Sequence, residues 1–422
     1  MPKRSDTTFY KAMLGLLSGL LLGLPLLFSS CGSSEDERGS RRVKGGAVGD
    51  RGRLSVLLIT VDTLRPDRLS CYGWRGATTP VIDELAASGV LFEVAVTPVP
   101  LTLPSHATIL TGRYPPSLGV RNNGSYRLGD AAITLAELFK DAGYRTGAFV
   151  GSYVLDACFG LDQGFEVYND QMANAEIPAS DGTVTRWDSP ERTADEVVAA
   201  ATQWLIEDTP RPFFAWIHIW DPHYPYAAPE PVRSRFPDDP YFGEVVFVDE
   251  QLGVLFESLR SAGLMGGNTL VVFTADHGEA LGEHDEESHG IFLYDATILV
   301  PLIIQLPGRL PDGLRVPHMV RTLDIAPTIL DLAGLARPSE MEGTTLEPLM
   351  ANPERARSKT DPELICYLES LYSLENFGWS PLFGVRTGDW KYIRAPQAEL
   401  YKLDQDPTEL VNLANKDTQT AG

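Results

Sequence analysis

The stretch Ser55-Val-Leu-Leu-Ile-Thr-Val61 is an apolar, branched run that ends directly in Asp62-Thr63. It lacks the alternation of a strand with one wet face, so it predicts a strand covered on both sides. The same pattern returns at Thr146 to Val150, Phe213 to Ile219 (FFAWIHI), Thr269 to Thr274 (TLVVFT) and Pro301 to Gln305. Between these runs lie helical stretches such as Ile133 to Ala142, Ala194 to Glu207 and Phe247 to Ala262. Strands alternating with helices predict an α/β fold, a mostly parallel sheet covered by helices. After Arg337 the chain turns polar, and then FGVRTGDWKYI (Phe383 to Ile393) and Glu399 to Leu403 predict the strands of a small C-terminal antiparallel β subdomain. The expected organisation is a leader over 1–31, a tether over 32–53, the main domain over 54–337 and the subdomain over 338–422.

Composition narrows the function. The chain has 422 residues and a formal charge of −22, a field that repels nucleic-acid phosphates, so no nucleic-acid-binding surface is expected. It has four Cys and no CxxC ladder, which leaves His and carboxylates as the side chains for any metal. At the N-terminus Lys3, Arg4 and Lys11 precede an apolar run, Leu14 to Phe28, that ends in Phe28-Ser29-Ser30-Cys31. The run is short for a span of ~20 residues, and the arrangement resembles a bacterial lipoprotein signal with its lipobox. That resemblance implies a cell-envelope protein attached to the membrane through a lipid at Cys31. Gly32 stands after Cys31 where Asp often marks inner-membrane retention, which favours the outer membrane or the periplasmic face. The Gly/Ser/charged stretch that follows reads as a flexible tether.

Three of the expected strands end in metal-ligand types. SVLLITV runs into Asp62, FFAWIHI into Trp220-Asp221-Pro222-His223, and TLVVFT into Ala275-Asp276-His277. One such Asp alone reads as a loop cap, but three at carboxyl ends of strands, two with His attached, sit where open α/β sheets bind ligands. A fourth element is Leu101-Thr-Leu-Pro-Ser-His-Ala-Thr-Ile-Leu-Thr-Gly112, a helix with Pro near its start and Gly at its end. Thr102 stands at its N-terminus, where the dipole and free amides favour an anionic tetrahedral group. It suits both a cap and a nucleophile.

With these residues in place, LLITVDTLRPDRLSCYG, TLPSHATILTG, DPHYPY, FTADHGEALGEH, SHGIFLYDATILVPLII and VRTGDWKYI followed by LYKLDQDPTEL resemble, in order, the landmarks of the sulfatase branch of the alkaline phosphatase superfamily. The resemblance covers about Leu54 to Leu413, and TLPSHATILTG aligns without gaps on the signature C/S-x-P-S-R-x-x-x-L-T-G. It implies an alkaline-phosphatase-like α/β fold. The departures carry chemistry. Thr102 replaces the Cys or Ser that is oxidised to formylglycine, and oxidising a Thr gives a ketone, so no formylglycine is expected. His106 stands for the signature Arg, Thr63 for the second Asp of the first metal motif, Gly151-Ser152-Tyr153 for the GKWH stretch, and His289 for the Lys of the K-G motif. Thr63, Ser152 and Tyr153 are expected to be structural.

Thr nucleophiles and extra His ligands resemble the phosphodiesterase and nucleotide-pyrophosphatase relatives, which use two transition metals. By that resemblance one divalent ion takes Asp62, Thr102, Asp276 and His277, and the other takes Asp221, His223 and His289. Imidazole with carboxylate suits Zn²⁺, with Mn²⁺ or Fe as alternatives. Asn123 resembles the Asn that holds a non-bridging oxygen, or is a turn residue beside Gly124. His218 reads as a core or supporting residue, His284 as substrate-facing or surface, and His318 stands apart. The expectation is an anionic ester substrate, phosphate before sulfate, attacked by Thr102. The alternatives are a sulfuric ester hydrolase without formylglycine, a phosphoryl-group transferase, and a non-catalytic glycan- or lipid-binding lipoprotein. Metal content separates the last from the enzymes.

Overall fold

The computed structural model describes residues 53–178, 184–207, 209–352, 354–355, 364–417 and 420; the leader and nearly all of the tether lie outside the described residues. The main sheet has eight strands: β1 (Ser55–Val61), β2 (Val90–Val96), β3 (Arg145–Val150), β4 (Val167–Asn169), β5 (Phe213–Ile219), β6 (Thr269–Ala275), β7 (Leu299–Gln305) and β8 (Leu314–Arg321). Their spatial order is β8-β2-β7-β6-β1-β5-β3-β4. Only β7 runs antiparallel to its neighbours, so the sheet is mostly parallel as expected. The sequence reading did not find β2, β4 and β8. In β2 (VLFEVAV) a Glu interrupts the apolar run, and in β8 (LRVPHMVR) a Pro and charged residues mask it.

The helices α1 (Pro80–Ala87), α2 (Thr102–Thr111), α3 (Leu135–Asp141), α4 (Ala194–Leu205), α5 (Pro240–Ser261) and α6 (Ile325–Ala333) pack on this sheet. α2 stops where Gly112 takes φ 66°, a left-handed conformation that costs glycine little. Thr134 and Glu137 form a reciprocal capping box that starts α3. α5 begins earlier than periodicity suggests, because Pro240 fits the first turn and Asp239 accepts a hydrogen bond from the Phe242 amide. The central strands are fully buried: Val56 to Ile59, Phe214 to Ile217 and Leu270 to Phe273 expose nothing.

Register positions the site. Val61 of β1 lies opposite Ile219 of β5 and Ala275 of β6. The three strands therefore end level, and Asp62, Trp220-Asp221 and Asp276 leave the sheet at one edge.

A second, four-stranded antiparallel sheet follows in the order β9 (Cys366–Ser370), β10 (Leu382–Arg386), β11 (Trp390–Arg394) and β12 (Glu399–Lys402), with α7 (Tyr372–Phe377) between β9 and β10. It is the expected C-terminal subdomain, with β9 as an added strand. An ion cluster joins it to the main domain. Arg386 and the fully buried Lys391 both meet Asp295, and Lys391 Nζ lies 2.7 Å from Glu409. Burial disfavours the Asp295 charge, but Arg386 and Lys391 outweigh it and hold the carboxyl below its ordinary range. Asp295→Ala leaves two buried cations short of their partner, so a loss of about 3–5 kcal/mol in urea unfolding at pH 7 is expected. The Asp295 contribution is present above the ordinary carboxyl pKa and is lost as pH falls through the depressed one, so wild type and variant converge in strong acid.

Candidate active site at the carboxyl ends of the strands

Thr102 is the first residue of α2 and is 1% exposed. Its Oγ1 lies 3.3 Å from His277 Nε2. The same Nε2 is 3.4 Å from Asp276 Oδ2 and 3.6 Å from Asp62 Oδ1, and all three of these side chains are fully buried. His277 donates Nδ1–H to the Gly278 carbonyl at 2.9 Å, which turns Nε2 towards the carboxylates. Asp62 has no hydrogen-bond partner on either carboxylate oxygen, and Asp276 has none on Oδ2. Buried carboxylate oxygens without donors are costly. Burial raises the pKa of both Asp62 and Asp276, and each is partly relieved by His277. Burial works against charge on His277 too, but Asp276 and Asp62 raise it above its ordinary value.

The other Asp276 oxygen is fixed in place. Oδ1 accepts from the His277 amide at 2.8 Å and from the Thr63 amide at 3.3 Å. Thr63 supplies that amide from φ 54°, an unusual conformation for a β-branched residue, and the Tyr241 hydroxyl clamps its carbonyl at 2.8 Å. The Thr that stands in for an acidic ligand thus orients one.

His223 and His289 come to the same place. Their ring centroids are 5.1 Å apart, and His289 lies 4.3 Å from His277. His223 donates Nδ1–H to the Tyr224 carbonyl at 2.6 Å and stacks on Trp220, which leaves Nε2 free. His289 Nδ1 is 2.9 Å from Glu279 Oε1. Burial lowers His223 to about 3 and His289 well below its ordinary value, so both imidazoles are neutral at pH 7. Burial lifts Glu279 to about 8, and Tyr226 also donates to it. Glu279 was not picked out from sequence, where GEALGEH offers two equivalent acids, Glu279 and Glu283; only the fold singles out the one that meets His289.

Asp221 has one carboxylate oxygen engaged by the backbone. Its Oδ2 accepts from the Ala194 amide at 2.7 Å, at the N-terminus of α4, where Thr193 makes no side-chain cap. The helix end fixes Oδ2 of this carboxylate and leaves Oδ1 to other partners. Among the described residues, the groups whose ligand atoms already lie close enough to hold a metal are Asp62/Asp276/His277 and His106/His218/Asp276, and neither includes Asp221, His223 or His289. In the second group His106 is already engaged, Nδ1 to the Thr102 carbonyl at 2.7 Å and Nε2 to Thr60 Oγ1 at 2.9 Å. His218 accepts from the Gly151 amide on Nδ1 and presents Nε2 to Asp62 Oδ2 at 3.5 Å. Both read as supports for the carboxylates.

Asn123 Oδ1 accepts from the Leu103 amide at 2.9 Å, and Pro104 has no N–H. The first turn of α2 therefore offers fewer free amides than expected, and the group left to Asn123 is its Nδ2. His284 stacks on Tyr294 at 3.6 Å and bonds the Thr408 carbonyl, a packing role.

Asp221 also belongs to an acidic cluster with Glu191 and Glu244. Glu244 is 3% exposed, and burial raises it well above the usual carboxylate range, with Asp221 adding to the effect. A carboxyl raised on folding costs stability as pH climbs from its unfolded value through its folded one. Glu244→Gln is expected to raise Tm at pH 8 by about 2 °C or more, with a smaller gain at pH 5, measured by thermal unfolding.

The sulfatase family model matches residues 55–335, and the model for the C-terminal region of N-sulphoglucosamine sulphohydrolase matches residues 282–421. The chain belongs to the sulfatase family. It is 28% identical over 403 residues to the ulvan-active sulfatase of Formosa agariphila, covering 86% of this chain and 77% of that relative. Among solved structures, the phosphonate monoester hydrolase of Agrobacterium radiobacter matches with a TM-score of 0.72 at 23% identity, covering 87% of this chain and 93% of that one. A protein solved with its substrate D-glucosamine-2-N,6-O-disulfate matches with a TM-score of 0.72 at 22% identity, covering 87% and 94%. These likenesses show the alkaline-phosphatase-like fold, and family membership makes this sulfatase-family chain a hydrolase of ester bonds.

Proposed function

We propose that this sulfatase-family hydrolase acts on phosphate esters through Thr102 as nucleophile, with divalent metal ions held by the strand-end cluster. The observation that carries the reading is the Thr102 hydroxyl 3.3 Å from His277 Nε2, beside three buried carboxylate oxygens of Asp62 and Asp276 that lack donors. Those oxygens, with His277 Nε2, fit a divalent cation of the zinc type. A second ion would draw on the free Nε2 of His223, on His289, oriented by Glu279, and on the Asp221 oxygen that the Ala194 amide leaves unused. When bound, the metal supplies charge that stabilises a Thr alkoxide and polarises the ester.

The protein's own groups carry the rest. Thr102 Oγ1 gives its proton to water and forms a bond to phosphorus as the ester P–O bond breaks, and the departing alkoxide takes a proton from water to leave as the alcohol. Water then displaces Thr102, which regains a proton. His223 and His289 stay neutral and hold their rings towards this space, His223 through Tyr224 and His289 through Glu279. Asn123 Nδ2 is the group offered to a non-bridging oxygen.

Neutral His289 and internally bonded His106, where sulfatases carry Lys and Arg, favour metal-assisted phosphate chemistry over binding of a sulfate by fixed cations. A sulfuric ester hydrolase is the second reading, favoured by the sulfated-sugar complex and the ulvan-active relative. The FSSC31 leader supports attachment to the bacterial cell envelope through a lipid on Cys31, and the mass of the mature N-terminal peptide tests it.

The experiment that tests the activity is metal analysis of the purified chain beside nitrophenyl phosphate monoester, diester, phosphonate and sulfate substrates. About two divalent ions per chain, one lost in His289→Ala, with faster turnover of phosphate than sulfate, is the expected result. One ion per chain, untouched in His289→Ala, together with turnover of the sulfate ester alone would overturn the reading.

A further inference from the structure

A row of aromatic side chains leads outward from the site. Gly290 follows His289, and a Cβ placed on it would stand 3.1 Å from Leu101 and 3.5 Å from the Tyr372 ring. Tyr372 at the start of α7 therefore lies against the backbone between His289 and the residue preceding Thr102. Its ring meets Phe377 at 6.0 Å, and Phe377 meets Trp379 at 4.9 Å, tilted by 36°. Burial falls along the row: Tyr372 is half-buried, Phe377 is 36% exposed and Trp379 is 57% exposed. Tyr372 is the member of the row that meets the site backbone, and adjacent exposed aromatics mark a binding surface more often than scattered ones do.

The row is held in place. Gly378 takes φ 69°, which folds the chain back so that the Trp379 amide donates to the Ser373 carbonyl at 3.1 Å, and Ser373 Oγ donates to the Ser380 carbonyl at 2.9 Å. Glu375 of α7 accepts from Asn122 Nδ2 at 2.7 Å and from the Tyr126 hydroxyl. The neighbouring Asn123 holds the Leu103 amide. One short segment thus ties the aromatic row to the first turn of the helix that carries Thr102.

Charge says what the row takes. Arg121, on the same wall, is engaged by Glu369 through two hydrogen bonds, one of them 3.0 Å long, and Tyr367 bonds the same carboxylate. Glu375 adds a negative charge. This wall therefore suits a ring without a second anionic group.

We propose that Tyr372, Phe377 and Trp379 form a stacking subsite for a flat, uncharged ring, aryl or sugar face, carried by the substrate beyond its reacting ester. This rests on the reading of Thr102 as the nucleophile. It assigns to α7 and the turn after it a part in choosing the substrate.

The test compares nitrobenzyl phosphate with methyl phosphate, which share the reacting group. In Trp379→Ala and Phe377→Ala the ratio of kcat/KM for the nitrobenzyl over the methyl ester should fall about tenfold, the size expected for one lost stacking contact, mainly through KM. Trp379→Phe should restore most of the ratio. A ratio unchanged in both Ala variants overturns the proposal. Independently of turnover, calorimetry with nitrobenzyl alcohol and with a methyl hexoside should show that at least one binds the wild type and loses affinity in Trp379→Ala. Loss for the alcohol alone identifies an aryl occupant, and loss for the hexoside alone a sugar. If neither ester is cleaved while a neutral ring binds and is lost on substitution, the ester reading fails and the subsite stands. Equal binding by wild type and Trp379→Ala refutes the subsite whatever the esters do.

Discussion

Thr102→Ala is expected to lower turnover by roughly three to six orders of magnitude, the range seen when an enzyme loses its nucleophile and retains only binding and electrostatic assistance. The reason is local. The Thr102 hydroxyl lies 3.3 Å from His277 Nε2, in a position that is 1% exposed. No other hydroxyl in the site meets that nitrogen: Ser105 bonds Thr97 and the Asp276 carbonyl, and Thr60 is taken up by His106 and Trp216. Stability should change little, because Ala is a better helix former than Thr at the start of α2 and the residue removed is small. Thr102→Ser keeps the hydroxyl and should retain a measurable fraction of activity. Acid quenching during turnover should trap phosphothreonine in the peptide that contains Pro104 and His106. If Thr102→Ala hydrolyses phosphate esters at the wild-type rate, water is the attacking group and the covalent route is wrong.

What the sequence made legible was the part governed by strand ends. The apolar runs at β1, β5 and β6 read clearly because both faces are buried, and parallel register then sets Asp62 beside Asp276 with no further information. Thr102 at a helix N-terminus was equally readable from Pro104 and Gly112. Tertiary competition was not. Asp221 stood out as one of three strand-end Asp residues, but that one of its oxygens starts α4 by accepting from the Ala194 amide could not be read from the sequence. Glu279 gains its place only from the chain fold that sets it 2.9 Å from His289. The antiparallel direction of β7 is likewise a property of the connection, since LVPLIIQ is as apolar as a parallel strand. The aromatic row on α7 could not be read from LYSLENFGW, because its meaning depends on Tyr372 lying against Gly290.

Asp62→Asn is expected to separate stability from function more sharply than any other substitution. In the metal-free protein Asp62 is fully buried with two oxygens that accept no hydrogen bond, and burial raises its pKa. A carboxyl raised in this way costs stability as pH rises from about 4 through its folded value. His277 acts in the same direction, since its raised pKa gives stability that is present below its ordinary value and lost as pH rises through the folded one. The metal-free wild type should therefore weaken towards alkaline pH, and Asp62→Asn, neutral at every pH, should weaken less. Adding a divalent ion reverses the comparison. At 100 times its dissociation constant an ion that binds only the folded chain contributes about 2.7 kcal/mol, so Tm of the wild type should rise by several degrees. The variant, with one anionic ligand gone, should show little of that rise and should lose at least about 100-fold in turnover. Differential scanning calorimetry with chelator, then with zinc, reads both halves of the effect. A variant whose zinc-induced rise equals that of the wild type would exclude Asp62 from the metal site and, with it, the account of why these carboxylate oxygens are buried without donors.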